Sequence, residues 1–597
     1  MLKRFFLNLL SSFVGAWLAL VLFCVVAVIV VVGVAARFSS SEDSSAKKIS
    51  KDSVLLVDLT GTIVETPESG QIDFMSLAAG DVDSPTALNV LVDGIREAKN
   101  SRSIKAMYIK CGHPLASPAT LNAIRMAIGD FKSSGKKVYA YADLMTMGDY
   151  FVASQADSLF LNPGGEIVIS GLGGTTLFYK DLLDKLGVKM TLVKVGTFKS
   201  AAEPYISNTM SQPARAQLDT LYGNLWSYIG KAVAEGRKSL DDNAMNAAAN
   251  NFIMFQTPQQ VEKEKYVDRL VYERQMDDIV GKMIGKKGKD VKYYTPETLS
   301  ENSGWGKSYN DKNQIAVLYA TGEIAEYSKT GIDCYKLVPQ ITKLAKDDNV
   351  KALVLRVNSP GGSVFGSEQI GEALDYFKST GKPFVVSMGD YAASGGYWIS
   401  CTADKIIADP MTITGSIGIF GLFPSAEGLI RKLGVTPQTV STNPGKEISL
   451  FYDPTPEQLD VLQKFINEGY SRFVGRVAKG RNMKEERVRQ IAEGRVYSAG
   501  QALELKLIDQ LGSLDNAINE AATLAKLKQD KFGVSIYPKF EPDFWDIIKS
   551  QGLDQLNVKL GNIADMNPES VMIRESARIL RRSPVQARMM PIEVSFK

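Results

Sequence analysis

Ile104-Lys-Ala-Met-Tyr-Ile-Lys110 and Val350-Lys-Ala-Leu-Val-Leu-Arg356 are two versions of one segment, 246 residues apart. At the same offset, Phe131-Lys-Ser-Ser-Gly-Lys-Lys137 answers Phe377-Lys-Ser-Thr-Gly-Lys-Pro383. Farther on, Tyr150-Phe-Val-Ala-Ser-Gln-Ala-Asp157 matches Tyr397-Trp-Ile-Ser-Cys-Thr-Ala-Asp404. Asn162-Pro163 matches Asp409-Pro410, and Lys185-Leu-Gly-Val188 matches Lys432-Leu-Gly-Val435, all three at an offset of 247. A nearly constant offset marks an internal duplication. The openings agree loosely too, Val54-Leu-Leu-Val-Asp-Leu-Thr-Gly-Thr-Ile63 with Ile315-Ala-Val-Leu-Tyr-Ala-Thr-Gly-Glu-Ile324. Each copy reads as α/β. Residues 353–357, Leu-Val-Leu-Arg-Val, have the apolar density of a strand buried on both faces. Ile370, Ala373, Leu374 and Phe377 follow at helical spacing, Gly381-Lys-Pro383 ends that helix, and Phe384-Val-Val-Ser-Met388 is the next strand. Strand, helix and strand predict a right-handed crossover on a parallel sheet.

Around this duplication the organisation is as follows. Residues 1–12 carry Lys3 and Arg4 and are expected to be cytoplasmic. The 24 residues from Phe13 to Ala36 hold no charge and would span about 36 Å as a helix, enough for a bilayer core of roughly 30 Å. They predict a single transmembrane helix and contact with a lipid bilayer, with the remainder across the membrane. The run is longer than the core of a cleaved signal peptide, the competing reading, for which Val34-Ala-Ala36 would be the cleavage site. Residues 37–50 form a polar linker, 51–300 the N-terminal repeat and 301–535 the C-terminal repeat. Residues 536–597 have no counterpart in the first copy. There Arg574, Arg578, Arg581 and Arg582 predict a solvated helix face.

Composition removes several function classes. The net charge is +3 over 597 residues, without a basic stripe before the tail, which argues against a nucleic-acid partner. The four cysteines, Cys24, Cys111, Cys334 and Cys401, show no CxxC spacing and read as small buried hydrophobes. There is one histidine, His113. A Ser-His-Asp site would have to use it, and zinc sites with several histidines are excluded.

Differences between the copies single out the chemistry. The second copy reads Arg356-Val-Asn-Ser-Pro-Gly-Gly-Ser363 where the first has Lys110-Cys-Gly-His-Pro-Leu-Ala-Ser117. Adjacent glycines after a strand let backbone N–H groups turn toward a ligand, as an oxyanion hole requires; a plain turn is the alternative. Ser394-Gly395, between a strand and a helix start, stands where the first copy has Met147-Gly148. Its hydroxyl is either a nucleophile or a helix N-cap. A serine nucleophile needs a base. His113 falls in the degenerate loop, opposite Ser359. A lysine can serve if burial lowers its pKa from about 10.4 by several units. Two lysines share one register: Lys199, beside Phe198, Ala201 and Ala202, and Lys446, in the turn Asn443-Pro-Gly-Lys-Glu447. Both remain open on the residues alone.

Ser359-Pro-Gly-Gly-Ser363, Ala393-Ser-Gly-Gly-Tyr-Trp398, Thr414-Gly-Ser-Ile-Gly418 and Gly196-Thr-Phe-Lys-Ser-Ala-Ala-Glu-Pro204 together resemble signal peptide peptidase A in its long, two-repeat form, over most of residues 50–525. The resemblance implies an α/β fold of tandem duplicated domains like those of the crotonase and Clp protease families, preceded by the transmembrane helix. It implies Ser394 as nucleophile, Lys199 as general base, Gly395 with Gly361 or Gly362 as oxyanion donors, and Ser416 as a hydroxyl that orients the lysine. One-repeat relatives keep both residues in one repeat, so Lys446 stays as the alternative base. No metal or cofactor is implied. Further implications are cleaved signal peptides and similar apolar peptides as substrates, a homotetramer, and a bacterial inner-membrane location with the catalytic part periplasmic. Two other classes remain: a non-proteolytic membrane-associated scaffold, expected if serine and lysine stand too far apart for proton transfer, and a crotonase-like acyl-thioester enzyme, which would want paired carboxylates near the glycine loop.

Overall fold

Two sheets, parallel through their central strands, form the frame. The computed structural model describes residues 49–66, 85–300, 312–528, 531–538 and 585–589. In the N-terminal repeat the central strands run in the order Ser53–Val64, Ile104–Leu115, Lys137–Met145 and Ser158–Ile167. In the C-terminal repeat, Gln314–Thr321, Val350–Ser359 and Phe384–Ala393 are consecutive neighbours, and Gly533–Tyr537 extends the sheet beside Gln314–Thr321.

The duplication holds at the level of register. Met107 lies opposite Val138 in the first sheet, and Leu353 opposite Phe384 in the second; both partners move by the 246-residue offset read from the sequence. A register irregularity recurs where the first strand meets the second, at Ser53/Val54 and again at Val350/Ala352. The expected helix is Val364–Ser379, and Ile370, Ala373, Leu374 and Phe377 are its buried stripe. It stops at Gly381, whose φ of 81° is a left-handed turn that glycine adopts without strain.

The repeats do not stand as separate bodies. Lys189–Val195, from the first, pairs antiparallel with Ile419–Ser425, from the second, in a third, mixed sheet. Glu65 reaches the end of a second-repeat strand, where its carboxylate takes Arg356 Nη2 at 2.6 Å and Nε at 3.1 Å; both side chains are buried. Asn122 Nδ2 donates at 3.0 Å to both oxygens of buried Asp409. Burial pushes that carboxyl up to about 7, against the lowering pull of its hydrogen bonds.

Among the described residues no helix is long and apolar enough to cross a membrane; the apolar stretch 13–36 lies outside them. Within residues 536–597, Val585–Arg588 is a strand inserted in the third sheet between Gly361–Ser363 and Ile419–Ser425. Arg574, Arg578, Arg581 and Arg582 lie outside the described residues. Compositional reading registers charge but carries no information on a pairing partner two hundred residues away.

Candidate active site

Ser394 follows the strand Phe384–Ala393 and precedes the helix Gly395–Trp398. Its φ of 57° with ψ of −116° lies outside the regions that a side-chain-bearing residue ordinarily occupies. The conformation is held by its neighbours: the Ser394 N–H donates to Gly415 C=O at 2.7 Å, and its C=O accepts from Trp398 N–H at 2.8 Å. Its hydroxyl makes no cap to the helix. The first copy shows the ordinary alternative. There Thr146 closes a capping box with Asp149 ahead of the helix Met147–Ala153.

The Ser394 hydroxyl instead meets Lys199. Nζ lies 2.6 Å from Ser394 Oγ, and 3.1 Å from both the carbonyl oxygen and Oγ of Ser416. Lys199 is only 2% exposed and Ser394 is fully buried. Burial holds the amine well below its ordinary value of 10.5, because a low-dielectric setting disfavours the ammonium form. Ser416 has a left-handed φ of 52°, with its N–H tied to Arg495 C=O at 2.7 Å, which fixes the hydroxyl beside the amine.

The lysine's loop comes from the first repeat but is clamped by the second. Phe198 N–H donates to Glu493 C=O at 2.9 Å, and Thr197 donates through N–H and Oγ1 to Glu493 Oε2, each at 2.9 Å. Gln217 bridges the two repeats: Nε2 donates to Phe198 C=O at 3.1 Å and Oε1 accepts from Val496 N–H at 3.3 Å. Arg495 lies over the Phe198 ring, 5.0 Å from its centroid. Glu493 and Gln217 escaped the sequence reading. No motif spacing connects them to residue 199, and a contact across repeats is visible only when folded.

The glycine pair resolves into two roles. Gly361 N–H donates to Ser359 Oγ at 3.2 Å; both glycines lie opposite the strand Val585–Arg588, Gly361 at Arg588 and Gly362 at Ala587. A Cβ on Gly362, at φ 154°, would come within 2.1 Å of Ile324 C=O, so only glycine fits. Gly395 opens its helix, and the first N–H groups of a helix have no partner within it.

The other candidates lie elsewhere. Lys446 is exposed, with Nζ 2.5 Å from Glu457 Oε1. That pair is solvent-exposed on both sides. His113 is half-exposed, at φ 64°, with Nδ1 3.5 Å from Asp149 Oδ2 in the first repeat. Cys111, Cys334 and Cys401 are buried free thiols. Among the described residues no cluster of histidine, cysteine and carboxylate side chains could hold a metal.

Comparison with known proteins places the chain among peptidases. The model of peptidase family S49 matches residues 130–287 and again 376–528, once in each repeat. The Clp protease model matches 308–411, the stretch that carries the glycine pair and Ser394. "Protease 4" of Haemophilus influenzae is 35% identical over 510 residues, covering 82% of this chain and 82% of its own. "Protease 4" of Salmonella typhi is 34% identical, covering 91% of this chain and 88% of its own. The chloroplastic "Serine protease SPPA" of Arabidopsis thaliana is 26% identical, covering 81% and 71%.

Proposed function

Because the chain belongs to peptidase family S49 and is a serine protease of the signal peptide peptidase A type, we propose that Ser394 is its nucleophile and neutral Lys199 its general base. The observation that carries this reading is the 2.6 Å approach of a buried lysine amine to a buried serine hydroxyl. That distance is within reach for proton transfer. The scaffold alternative depended on the two groups being too far apart, and at 2.6 Å it loses its ground.

Neutral Lys199 takes the Ser394 hydroxyl proton as Oγ attacks a peptide carbonyl carbon. The oxyanion is met by the N–H groups of Gly362 and Gly395. One such donor contributes typically about 2.7–4 kcal/mol. The lysine ammonium, supported by Ser416 Oγ and C=O, gives its proton to the leaving amine. Water then attacks the ester with Lys199 again as base, releasing the acid and restoring the serine. Apolar peptides, including cleaved signal peptides, are the proposed substrates. The stretch 13–36 is the proposed bilayer anchor, with the catalytic part on the periplasmic side, and a homotetramer is the proposed assembly.

A trapping experiment tests the dyad. The purified chain is mixed with an activated apolar acyl ester, quenched early, and digested for mass spectrometry. The acyl group is expected on Ser394, and its accumulation should be lost in Lys199→Ala. Acylation at another residue would overturn the assignment. Extraction of membranes with alkaline carbonate tests the anchor: the chain should remain in the pellet, and lose that retention when residues 1–40 are removed.

A further inference from the structure

The strand that leads to Ser394 is irregular at one place. Phe384–Ala393 runs in regular parallel register with Val350–Ser359 from Leu353 opposite Phe384 to Val357 opposite Met388, and the next matched pair is Ser359 with Ala392. Three residues, Gly389, Asp390 and Tyr391, therefore stand opposite the single residue Asn358. Bulges of this kind bend a strand and re-aim the side chains beyond it. The bulge is also where the strand changes neighbour. Before it, residues 385–388 pair with Lys405–Ala408; from Tyr391 onward the partner is Ile413–Gly415. The new partner carries Gly415, whose C=O takes the Ser394 N–H, and leads to Ser416, which holds Lys199.

Asn358 closes the bulge with its side chain. Its Oδ1 accepts from Tyr391 N–H at 3.1 Å, and its Nδ2 donates to Asp390 Oδ2 at 2.8 Å. A backbone N–H can only donate and a carboxylate only accept, so both ends of the amide are matched. Asp390 is in turn fixed by the first repeat. Its Oδ1 accepts from Thr120 N–H at 3.1 Å, in the first turn of the helix Pro118–Lys132, where the helix end favours negative charge. Gly389 has no room for a side chain: an added Cβ would come within 2.6 Å of Glu65 Oε1. Its C=O accepts from Thr412 Oγ1 at 2.6 Å. In the first copy Gly112 takes the place of Asn358 and has no amide to offer, just as Met147 takes the place of Ser394.

We propose that Asn358 is a positioning residue for the nucleophile: by clasping Asp390 and Tyr391 it sets the bulge that brings Ser394 to the height of Lys199, and Asp390 makes that setting depend on the first repeat. This rests on the Ser394–Lys199 reading. Asn358 acts through Tyr391, Ala392 and Ala393, the residues that lead to Ser394, rather than on the reacting atoms. It also directly precedes Ser359-Pro-Gly-Gly362, so one amide holds the nucleophile strand and the glycine loop in a common frame. The first repeat thereby contributes twice to the site, once with the lysine and once with the helix turn that anchors Asp390.

The test exchanges the two partners. The wild-type full-length chain, Asn358→Asp, Asp390→Asn and the double variant carrying both changes are compared for turnover of an added apolar peptide, and for the rate and extent of Ser394 acylation by an activated apolar acyl ester. Asn358→Asp sets a carboxylate against Asp390 and removes the donor between them. Turnover and the acylation rate per reactive site should then fall roughly 10- to 100-fold, the scale of a misplacement approaching 1 Å, with KM little changed. Asp390→Asn should lower both in the same sense. The double variant restores the donor and acceptor with their direction reversed, and the new amide at position 390 still offers its oxygen to Thr120 N–H. It should recover to within about threefold of wild type. A defect of folding alone would reduce the extent of acylation and leave the rate per acylated site unchanged, and that result would overturn the positioning role. So would a double variant that does not recover, which stays decisive if either single variant fails to fold. A wild-type chain acylated at Ser394 at a rate that Asn358→Asp leaves unchanged would overturn the role of Asn358 and leave the dyad standing. Acylation of the wild-type chain at another residue would overturn both readings.

Discussion

Gly494 lies so close to Lys199 that a Cβ added to it would come within 2.6 Å of the lysine's own Cβ. The glycine also has a left-handed φ of 73°, and its N–H donates to Ile417 C=O at 2.9 Å. A second-repeat backbone therefore presses on a first-repeat lysine and sets its height against Ser394. Gly494→Ala should push the amine out of line. Since a misplacement of about 1 Å can cost about 10²-fold, kcat should fall by that order with KM little changed. Steady-state kinetics on an apolar peptide would check this, and a variant with wild-type kcat would remove Gly494 as a positioning residue.

The lysines are separable in the same assay. Lys199→Ala should lower kcat by about 10²–10⁴, the range for loss of a general base, and Ser394→Ala should be at least as damaging. Lys446→Ala removes only an exposed pair with Glu457 and should leave turnover within about twofold, since exposed pairs contribute little. A large loss from Lys446→Ala would reassign the base.

Ser416→Ala tests the lysine's orienting partner. Nζ loses one oxygen at 3.1 Å and keeps the Ser416 carbonyl. A hydrogen bond to a charged group contributes about 1.5–3 kcal/mol, and the amine is charged only after it takes the serine proton. The loss should therefore appear in kcat, roughly 10- to 150-fold, and not in KM. A change confined to KM would point to a substrate-binding role.

The pH dependence has a definite sign. Only the neutral amine can accept a proton, so activity should rise with pH through the pKa of Lys199. Burial places that value well below 10.5, so the plateau should be reached correspondingly early. Stability moves the same way. Between the lowered folded value and 10.5 the unfolded chain binds a proton that the folded chain does not, so this group's contribution increases with pH across that window. A kcat/KM profile that is flat through the acidic limb, or that falls as pH rises, would contradict a neutral lysine base.

The junction of the repeats can be probed away from the chemistry. Glu65→Ala would leave the Arg356 guanidinium buried without its carboxylate. Breaking a buried pair from one side typically costs about 3–5 kcal/mol. Chemical denaturation should show a loss of that order. Replacing both residues with apolar ones of similar volume should cost far less. Equal destabilisation by the single and double changes would argue against an electrostatic origin.

Much of the site was legible in the residues because the chain carries its own comparison. Ser394-Gly395 and Gly361-Gly362 stand out against Met147-Gly148 and Leu115-Ala116 of the first copy, and at the first of these the first copy has a capping box. The strand and helix stripes were legible because burial imposes periodicity on any strand or helix, whatever its partners. Other features had no local signature. Nothing in Asn443-Pro-Gly-Lys-Glu447 or in the surroundings of Lys199 reports the distance to Ser394; Glu493 holds a loop hundreds of positions away in the chain, and Gln217 ties that loop to Val496 of the other repeat.

Read without coordinates, the residues already give the duplication, the α/β class, the serine with its glycine loop and the lack of enough histidine for an imidazole-based metal site. Those follow from residue identity, spacing and composition. The folded chain alone shows which lysine meets the serine and which second-repeat backbone clamps that lysine's loop. Desolvation of an amine and the pairing of a strand are properties of surroundings assembled from distant segments, and no short window of residues contains them.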